Sequence, residues 1–160
     1  MRRMLMLGAA ASAALGLATA ASAAANGDFI RDAIKGDNSE IMLGRMAAHR
    51  ATSPEVRAYG RQLMQDHNQG LRQAAFVAQR LGVPTPAGPS AEARMEQAKL
   101  SVLVGRNFDR EFVRYMIRDH QKDIADFQQQ ANGEGPTARF ARQTLPTLHR
   151  HLDMATRLAR

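Results

Sequence analysis

The sequence predicts an all-α protein, an antiparallel four-helix bundle with one short extra helix. Three observations carry that prediction. Ala and Met are plentiful, Val and Ile are sparse and only 5% of residues are aromatic, a composition that favours helix over sheet. No stretch alternates apolar and polar residues for long enough to make a strand. Clusters of Gly, Pro, Asn and Ser divide the chain into segments whose apolar residues recur at helical spacing. With 160 residues, 44% of them hydrophobic, the chain is long enough for one domain around one core. The absence of Cys excludes disulfides, thiol nucleophiles, zinc–thiolate sites and iron–sulfur ligation.

The N-terminal segment is expected to lie outside the fold. Met1-Arg2-Arg3-Met4 forms a short positive region, Leu5 to Leu17 is apolar, and Ala21-Ser22-Ala23 is a small-x-small cleavage motif. This is the pattern of a secretory signal peptide over 1–23, leaving a single helical domain over 24–160 in the periplasm or secreted. The alternative is an uncleaved inner-membrane anchor, for which the Ala-rich run is weakly hydrophobic. Removing Arg2 and Arg3 lowers the formal charge from +7 to +5, most of it carried by Arg. Such a surface can contact anionic envelope surfaces, and an exported protein is a poor candidate for nucleic-acid binding.

Each helix has its own local signals. The first runs from Asp28 to Arg50. Thr52-Ser53-Pro54-Glu55 supplies a hydroxyl cap, a first-turn Pro and an acid that complements the helix dipole, so the second starts at Pro54 and runs to Leu81, stopped by Gly82. Val83 to Pro89 is a Pro-rich connector. Ser90 caps a short helix to about Val104, ended by Gly105, and Asn107 caps another from Phe108 to about Ala131. After Asn132-Gly133-Glu134-Gly135-Pro136, the last runs from Thr137 to about Leu158, with Pro146 expected to bend it.

Val56, Gly60, Leu63, His67, Gly70, Ala74, Val77 and Leu81 follow an unbroken 4-3-4-3 spacing, as do Ala141, Leu145, Leu148, Leu152, Ala155 and Ala159. The first helix follows Ile30, Ala33, Asp37, Glu40, Gly44 and Ala47, and the fourth follows Phe112, Met116, His120, Ile124 and Phe127. A weak repeat relates Arg61–His67 to Arg114–His120, each ending in Asp-His.

The polar residues on these faces meet at one height. Glu40 stands 12 residues before the first turn at Thr52 and His67 15 after it; His120 stands 14 before Glu134 and His151 17 after. At ~1.5 Å of rise per residue, each pair is level to within roughly 4.5 Å. Glu40, His67, His120 and His151 can therefore converge inside the bundle, a donor set suited to a divalent transition metal. Two readings stay open: metal ligands, or a metal-free polar core in which Glu and His satisfy one another. His151 is one step off the strict apolar face, between Leu148 and Leu152. His49 complements the end of the first helix, and His149 points about 200° away from His151. Asp66 and Asp119 point about 100° from the adjacent His, as acceptors behind the ligands or as partners of Arg. Arg110, Arg114, Arg118 and Lys122 make a solvated stripe balanced by Glu111, Asp119 and Asp126. Three buried imidazoles balanced by Glu40 alone are expected to have lowered pKa values, making the fold acid-sensitive.

Gly36-Asp37-Asn38-Ser39-Glu40-Ile41-Met42-Leu43-Gly44, Asp66-His67, Gly82-Val83-Pro84, Phe108-Asp109, Asp119-His120, Leu145-Pro146 and His151-Leu152 together resemble the bacterial domain-of-unknown-function family numbered forty-one forty-two. The resemblance spans Phe29 to about Leu158 and implies an exported protein with a ferritin-like bundle. Di-iron chemistry does not follow. That centre takes Glu-x-x-His from two helices, and Met64, Ile117 and Leu148 stand three before the interior His. Nor does any nucleophile signature, phosphate loop or nucleotide fingerprint occur. The expectation is a non-catalytic envelope protein that binds a divalent metal through Glu40, His67, His120 and His151, the alternative being an interaction or stress-tolerance protein with a metal-free polar core.

Overall fold

The computed structural model describes the backbone of residues 10–160 and the side chains of residues 23–160. Met1 to Met4, the positive end of the signal pattern, lie outside the described residues. Five helices follow in order: α1 Ala10–Arg50, α2 Pro54–Leu81, α3 Ala91–Ser101, α4 Gly105–Ala131 and α5 Gly135–Leu158. There is no strand among the described residues.

The four long helices form a ring in which α1 packs on α2, α2 on α5, α5 on α4 and α4 on α1. The α1–α2 turn lies beside the start of α4, and Asn26 on α1 lies beside the α4–α5 turn. Each helix therefore runs antiparallel to both neighbours in the ring, and the connection through α3 carries the chain back along the bundle between α2 and α4. α3 leans on α1 and α4.

The local signals explain the boundaries. The Ser53 hydroxyl accepts hydrogen bonds from Glu55 N and Val56 N, Pro54 occupies the first turn, and Gly82 ends α2 in a left-handed conformation at φ 65°. Ser90 accepts from Ala93 N at 3.1 Å. Other expected boundaries move. α1 extends back to Ala10, because the Ala-rich segment holds nothing that stops a helix. α3 ends at Ser101, and α4 begins at Gly105 rather than at Phe108. Gly105, at φ 60°, makes the corner itself, while Asn107 lies inside the first turn and accepts from Arg110 at 2.6 Å. α5 begins two residues earlier than expected and continues through Pro146 as one helix.

Two apolar clusters fill the bundle, one at each end. Leu43, Tyr59, Leu63, Phe108, Phe112 and Met116 pack near the α1–α2 turn, and Ile30, Ile34, Ala74, Phe127, Phe140 and Leu148 pack near the α4–α5 turn. Each end also has a polar tie. The Asp109 carboxylate accepts from Thr52 N at 2.9 Å and Ser53 N at 2.8 Å, while Asn26 Oδ1 accepts from Gln130 and Thr137, both at 2.8 Å. α1 and α2 approach backbone to backbone: a Cβ on Gly44 would stand 2.7 Å from the Gly60 carbonyl oxygen, and one on Gly60 2.6 Å from that of Gly44. Between the two clusters lies a layer of buried polar side chains.

Candidate metal centre

Each long helix contributes one side chain to that layer. Glu40 comes from α1, His67 from α2, His120 from α4 and His151 from α5; His67 is 5% exposed and the other three are 0% exposed. The three imidazoles converge, with ring centroids 5.2 Å apart for His67–His151, 5.3 Å for His120–His151 and 6.1 Å for His67–His120. One nitrogen from each lies within 4.8 Å of the other two. His151 is fully buried while Leu152 is only half-buried, so the inner face of α5 passes through His151, not through its neighbour as the apolar spacing suggested.

The outward nitrogen of every imidazole is engaged. His67 Nδ1 bonds Asp37 Oδ1 at 2.8 Å, His120 Nδ1 donates to the Met116 carbonyl at 2.9 Å, and His151 Nε2 bonds Asp66 Oδ2 at 2.8 Å. A carbonyl or an ionised carboxylate only accepts, so each of these nitrogens carries a ring proton, and in a neutral ring the other presents a lone pair inward. Of those inward atoms, His120 Nε2 and His151 Nδ1 are buried without a hydrogen-bond partner, while His67 Nε2 faces Glu40 Oε2 in an ion pair. The inward lone pairs of His120 and His151 cannot satisfy each other. A carboxylate or carbonyl behind each imidazole, fixing which nitrogen faces inward, is the arrangement that orients metal-ligating histidines.

Glu40 sits to one side of the trio. Its Oε2 abuts His67 Nε2, and its Oε1 lies 3.2 Å from His120 Nδ1. Its carboxylate also groups with Asp119 and His120, ligand atoms again within 4.8 Å of one another. The four side chains read from the sequence therefore share one layer, with Glu40 touching two of the three imidazoles.

The electrostatics follow from these neighbours. Burial would raise the pKa of Glu40, but the charges of His120 and His67 and the His67 contact outweigh it and hold the carboxyl at about 2. Burial would lower His67, yet Glu40 and Asp37 together raise it well above the ordinary imidazole value. Burial, reinforced by the His67 charge, lowers His120, although Glu40 opposes it, and brings His151 to about 4 against the bond from Asp66. The expected depression of all three therefore fails at His67, because Asp37 supplies a second carboxylate there.

Sequence reasoning placed Asp37 on the inner face without assigning it a role. Its spacing of three from Glu40 puts both carboxylates on one side of α1. Gly70 makes room opposite: a Cβ there would stand 2.8 Å from Asp37 Oδ1. Asp66 does stand behind one of the imidazoles, His151, but on another helix rather than beside its sequence neighbour. Among the described residues Asp119 pairs with no Arg; it lies beside Glu40. The basic stripe is solvated as expected: Glu111 pairs with Arg114 and Lys99, and Asp126 with Lys122 at 2.9 Å. His49 and His149 are exposed.

The layer can be reached from two sides. A cavity of about 360 Å³ between α1, α4 and α5 runs past Asp32, Asp123 and Asp126 to Asp37 and His67. A second, of about 380 Å³, reaches Asp66 and His67 between α2 and α5. Among the described residues no helix is long and apolar enough to cross a membrane.

Solved structures share this architecture. A DUF305 fragment from Deinococcus radiodurans superposes with a TM-score of 0.73 at 25% identity, covering 84% of this chain and 95% of that one. CopM in its Cu(II)-bound form gives 0.69 at 20% identity, covering 84% and 95%, and a DUF305 protein from Streptomyces coelicolor 0.69 at 16%, covering 84% and 91%. No curated protein matches the chain in sequence. The model of the family described as Domain of unknown function (DUF4142) matches residues 11–158, practically the whole chain, and this protein belongs to that family.

Proposed function

We propose that this protein is an exported, non-catalytic metal carrier or buffer of the cell envelope, which binds a borderline divalent transition metal through His67, His120 and His151 with Glu40 beside them. The observation that carries the reading is the set of three inward, buried imidazole nitrogens, two of them unpartnered and the third facing Glu40, each ring backed by an acceptor on its other nitrogen. Imidazole nitrogens with one carboxylate suit zinc or Cu(II), and the bound ion would satisfy all of the stranded lone pairs at once. CopM, which shares the fold, has been solved with Cu(II) bound, in keeping with this choice of ion. The absence of any Glu-x-x-His and the burial of His67, His120 and His151 favour binding over turnover. Export rests on the N-terminal pattern, with cleavage near Ala23.

One observation favours the metal-free alternative. His67, flanked by Asp37 and Glu40, can keep a second proton on Nε2, where it takes the place of a cation against Glu40. Elemental analysis of untagged protein from the native envelope separates the two. Near-stoichiometric zinc, copper or iron that is lost in His151→Ala supports metal binding. Metal-free protein whose melting temperature is unchanged by added zinc or Cu(II) overturns it, since a ligand bound only by the folded state must stabilise that state. Intact mass from the same fraction tests cleavage: a full-length species in the inner membrane contradicts export as a free protein.

A further inference from the structure

Away from the polar layer, one groove combines an apolar lining with charge of a single sign. It lies between α2 and α5, at the α4–α5 turn end of the bundle, and encloses about 380 Å³. Phe76, Pro136 and Phe140 supply its apolar surface, and Arg72, Arg80 and Arg139 its charge. Arg72, Phe76 and Arg80 follow one another at a spacing of four, so they share a face of α2. The Arg80 guanidinium lies 5.9 Å from the centre of the Phe76 ring, and that ring is 59% exposed. No acid lines the groove, α2 carries none after Asp66, and α5 carries none before Asp153. Among the described residues, none of the three arginines pairs with a carboxylate. The basic stripe of α4 differs, because Glu111 and Asp126 neutralise part of it. The groove also lies at the end where the N-terminal segment joins the domain. Thr137, at the start of α5, donates to Asn26, and a Cβ on Gly27 would stand 3.4 Å from Val83, just past the end of α2. Whatever precedes Asn26 therefore joins the bundle at this end, and the sequence there carries the apolar run from Leu5 to Leu17.

We propose that this groove docks the domain on an anionic phospholipid surface, with Phe76 entering the headgroup region and Arg72, Arg80 and Arg139 holding phosphates around it. Guanidinium groups take phosphate oxygens two at a time, which an ammonium cannot do. An aromatic ring flanked by arginines suits the boundary between headgroups and acyl chains, apolar on one side and wet on the other. Unbalanced positive charge is drawn to anionic lipid over about a Debye length. The N-terminal segment selects a membrane over a soluble anion, since a leader held in the inner membrane before cleavage sets this end of the bundle against the lipid. The groove outlasts cleavage, so the mature protein keeps a reversible hold on the surface from which it was released. None of its residues belongs to the Glu40, His67, His120 and His151 layer, and the inference does not depend on metal binding.

The test uses the mature chain, which has no Trp, so that Phe76→Trp adds a single fluorescent reporter. On vesicles containing phosphatidylglycerol its emission should shift to the blue and be quenched by brominated acyl chains. On phosphatidylcholine vesicles it should not change. Arg72→Gln, Arg80→Gln and Arg139→Gln together should lower partition by about 100-fold. Arg106→Gln, Arg110→Gln and Arg118→Gln remove the same charge from α4 and should lower it by less than about threefold. Cosedimentation of the chain with Phe76 intact should give the same order of affinities. Equal losses in the two triple variants overturn the proposal, as does vesicle binding without a spectral shift, or no binding to phosphatidylglycerol at low ionic strength. Glycerol phosphate in solution that reproduces the shift makes the groove a small-anion site and overturns the membrane reading. His151→Ala should bind vesicles as the parent does, so that failure of the metal reading leaves this one standing.

Discussion

Asp66-His67 on α2 and Asp119-His120 on α4 are the same dipeptide, on helices of the same bundle and at the same height, and they do different work. His67 stands between two carboxylates of α1, Asp37 and Glu40, while His120 turns its outer nitrogen to a carbonyl of its own helix, that of Met116. Asp66 reaches across to His151, and Asp119 reaches across to Glu40. Opposite shifts result: His67 holds its proton more tightly than a free imidazole, and His120 less tightly. A local repeat fixes where the side chains stand. Residues on other helices fix what they do.

The sharpest way to break this comparison is to remove each imidazole from the metal-free protein. His67→Ala leaves Asp37 and Glu40 as buried charges without a cation, and should cost about 3–5 kcal/mol of unfolding free energy. His120→Ala loses a neutral hydrogen bond and some packing, and should cost about 2 kcal/mol. Denaturant titrations at neutral pH measure both; equal losses would mean that the two copies are equivalent after all.

Acidity separates the imidazoles next. His151 has a folded value of about 4 against an ordinary 6.5, so between those values the unfolded chain binds more protons and stability falls as pH falls. The full effect is about 3 kcal/mol. His67 acts with the opposite sign. Its folded value is raised, so its contribution is complete below pH 6.5 and is lost as pH rises through that folded value. Thermal unfolding across pH should show His151→Gln flattening the acid limb and His67→Gln the alkaline one. Parallel curves for both variants would contradict the assignment.

The two aspartates differ by a smaller amount. Asp66→Asn removes the acceptor that holds the His151 ring, and should weaken zinc binding by about 10–100-fold in a competition titration. Asp119→Asn should leave the affinity of the trio within about threefold, because that side chain stands behind none of the three imidazoles. A modest effect on stability is expected of Gly70→Ala. The added methyl pushes on Asp37, which loosens its bond to His67 and costs about 1 kcal/mol. Imidazole proton titration by nuclear magnetic resonance should show the His67 pKa falling and His151 unmoved.

What the sequence could convey divides along the same line. Ser53, Pro54 and Gly82 act on the backbone next to them, so both ends of α2 are legible without any tertiary information. At the start of α4 the same kind of reasoning misleads, since Gly105 ends one element by opening the next. On α5 two spacings pass through Ala141, Leu148 and Ala155. One inserts Leu145 and Leu152, the other Thr144 and His151, and hydrophobicity selects the leucines where the structure buries His151 completely. The layer heights of Glu40, His67, His120 and His151 were legible because helix rise is constant. The pairings of Asp37, Asp66 and Asp119 were not, because each depends on how another helix is turned about its axis.

The contact of Gly44 with Gly60 has a mechanical consequence. Four residues from Gly44 stands Glu40, and seven from Gly60 stands His67. At this contact the two backbones meet directly, because neither glycine puts a side chain between them. The wall carrying Glu40 and His67 therefore moves only if two whole helices move. The facing wall, with His120 and His151, is spaced by Phe112, Met116 and Leu148, which can repack. If the chamber holds an ion as proposed, one stiff wall and one compliant wall would let it fit ions of different radius by yielding on a single side. Substitutions that retune its size preference should accordingly collect on α4 and α5, leaving the glycine contact of α1 and α2 untouched.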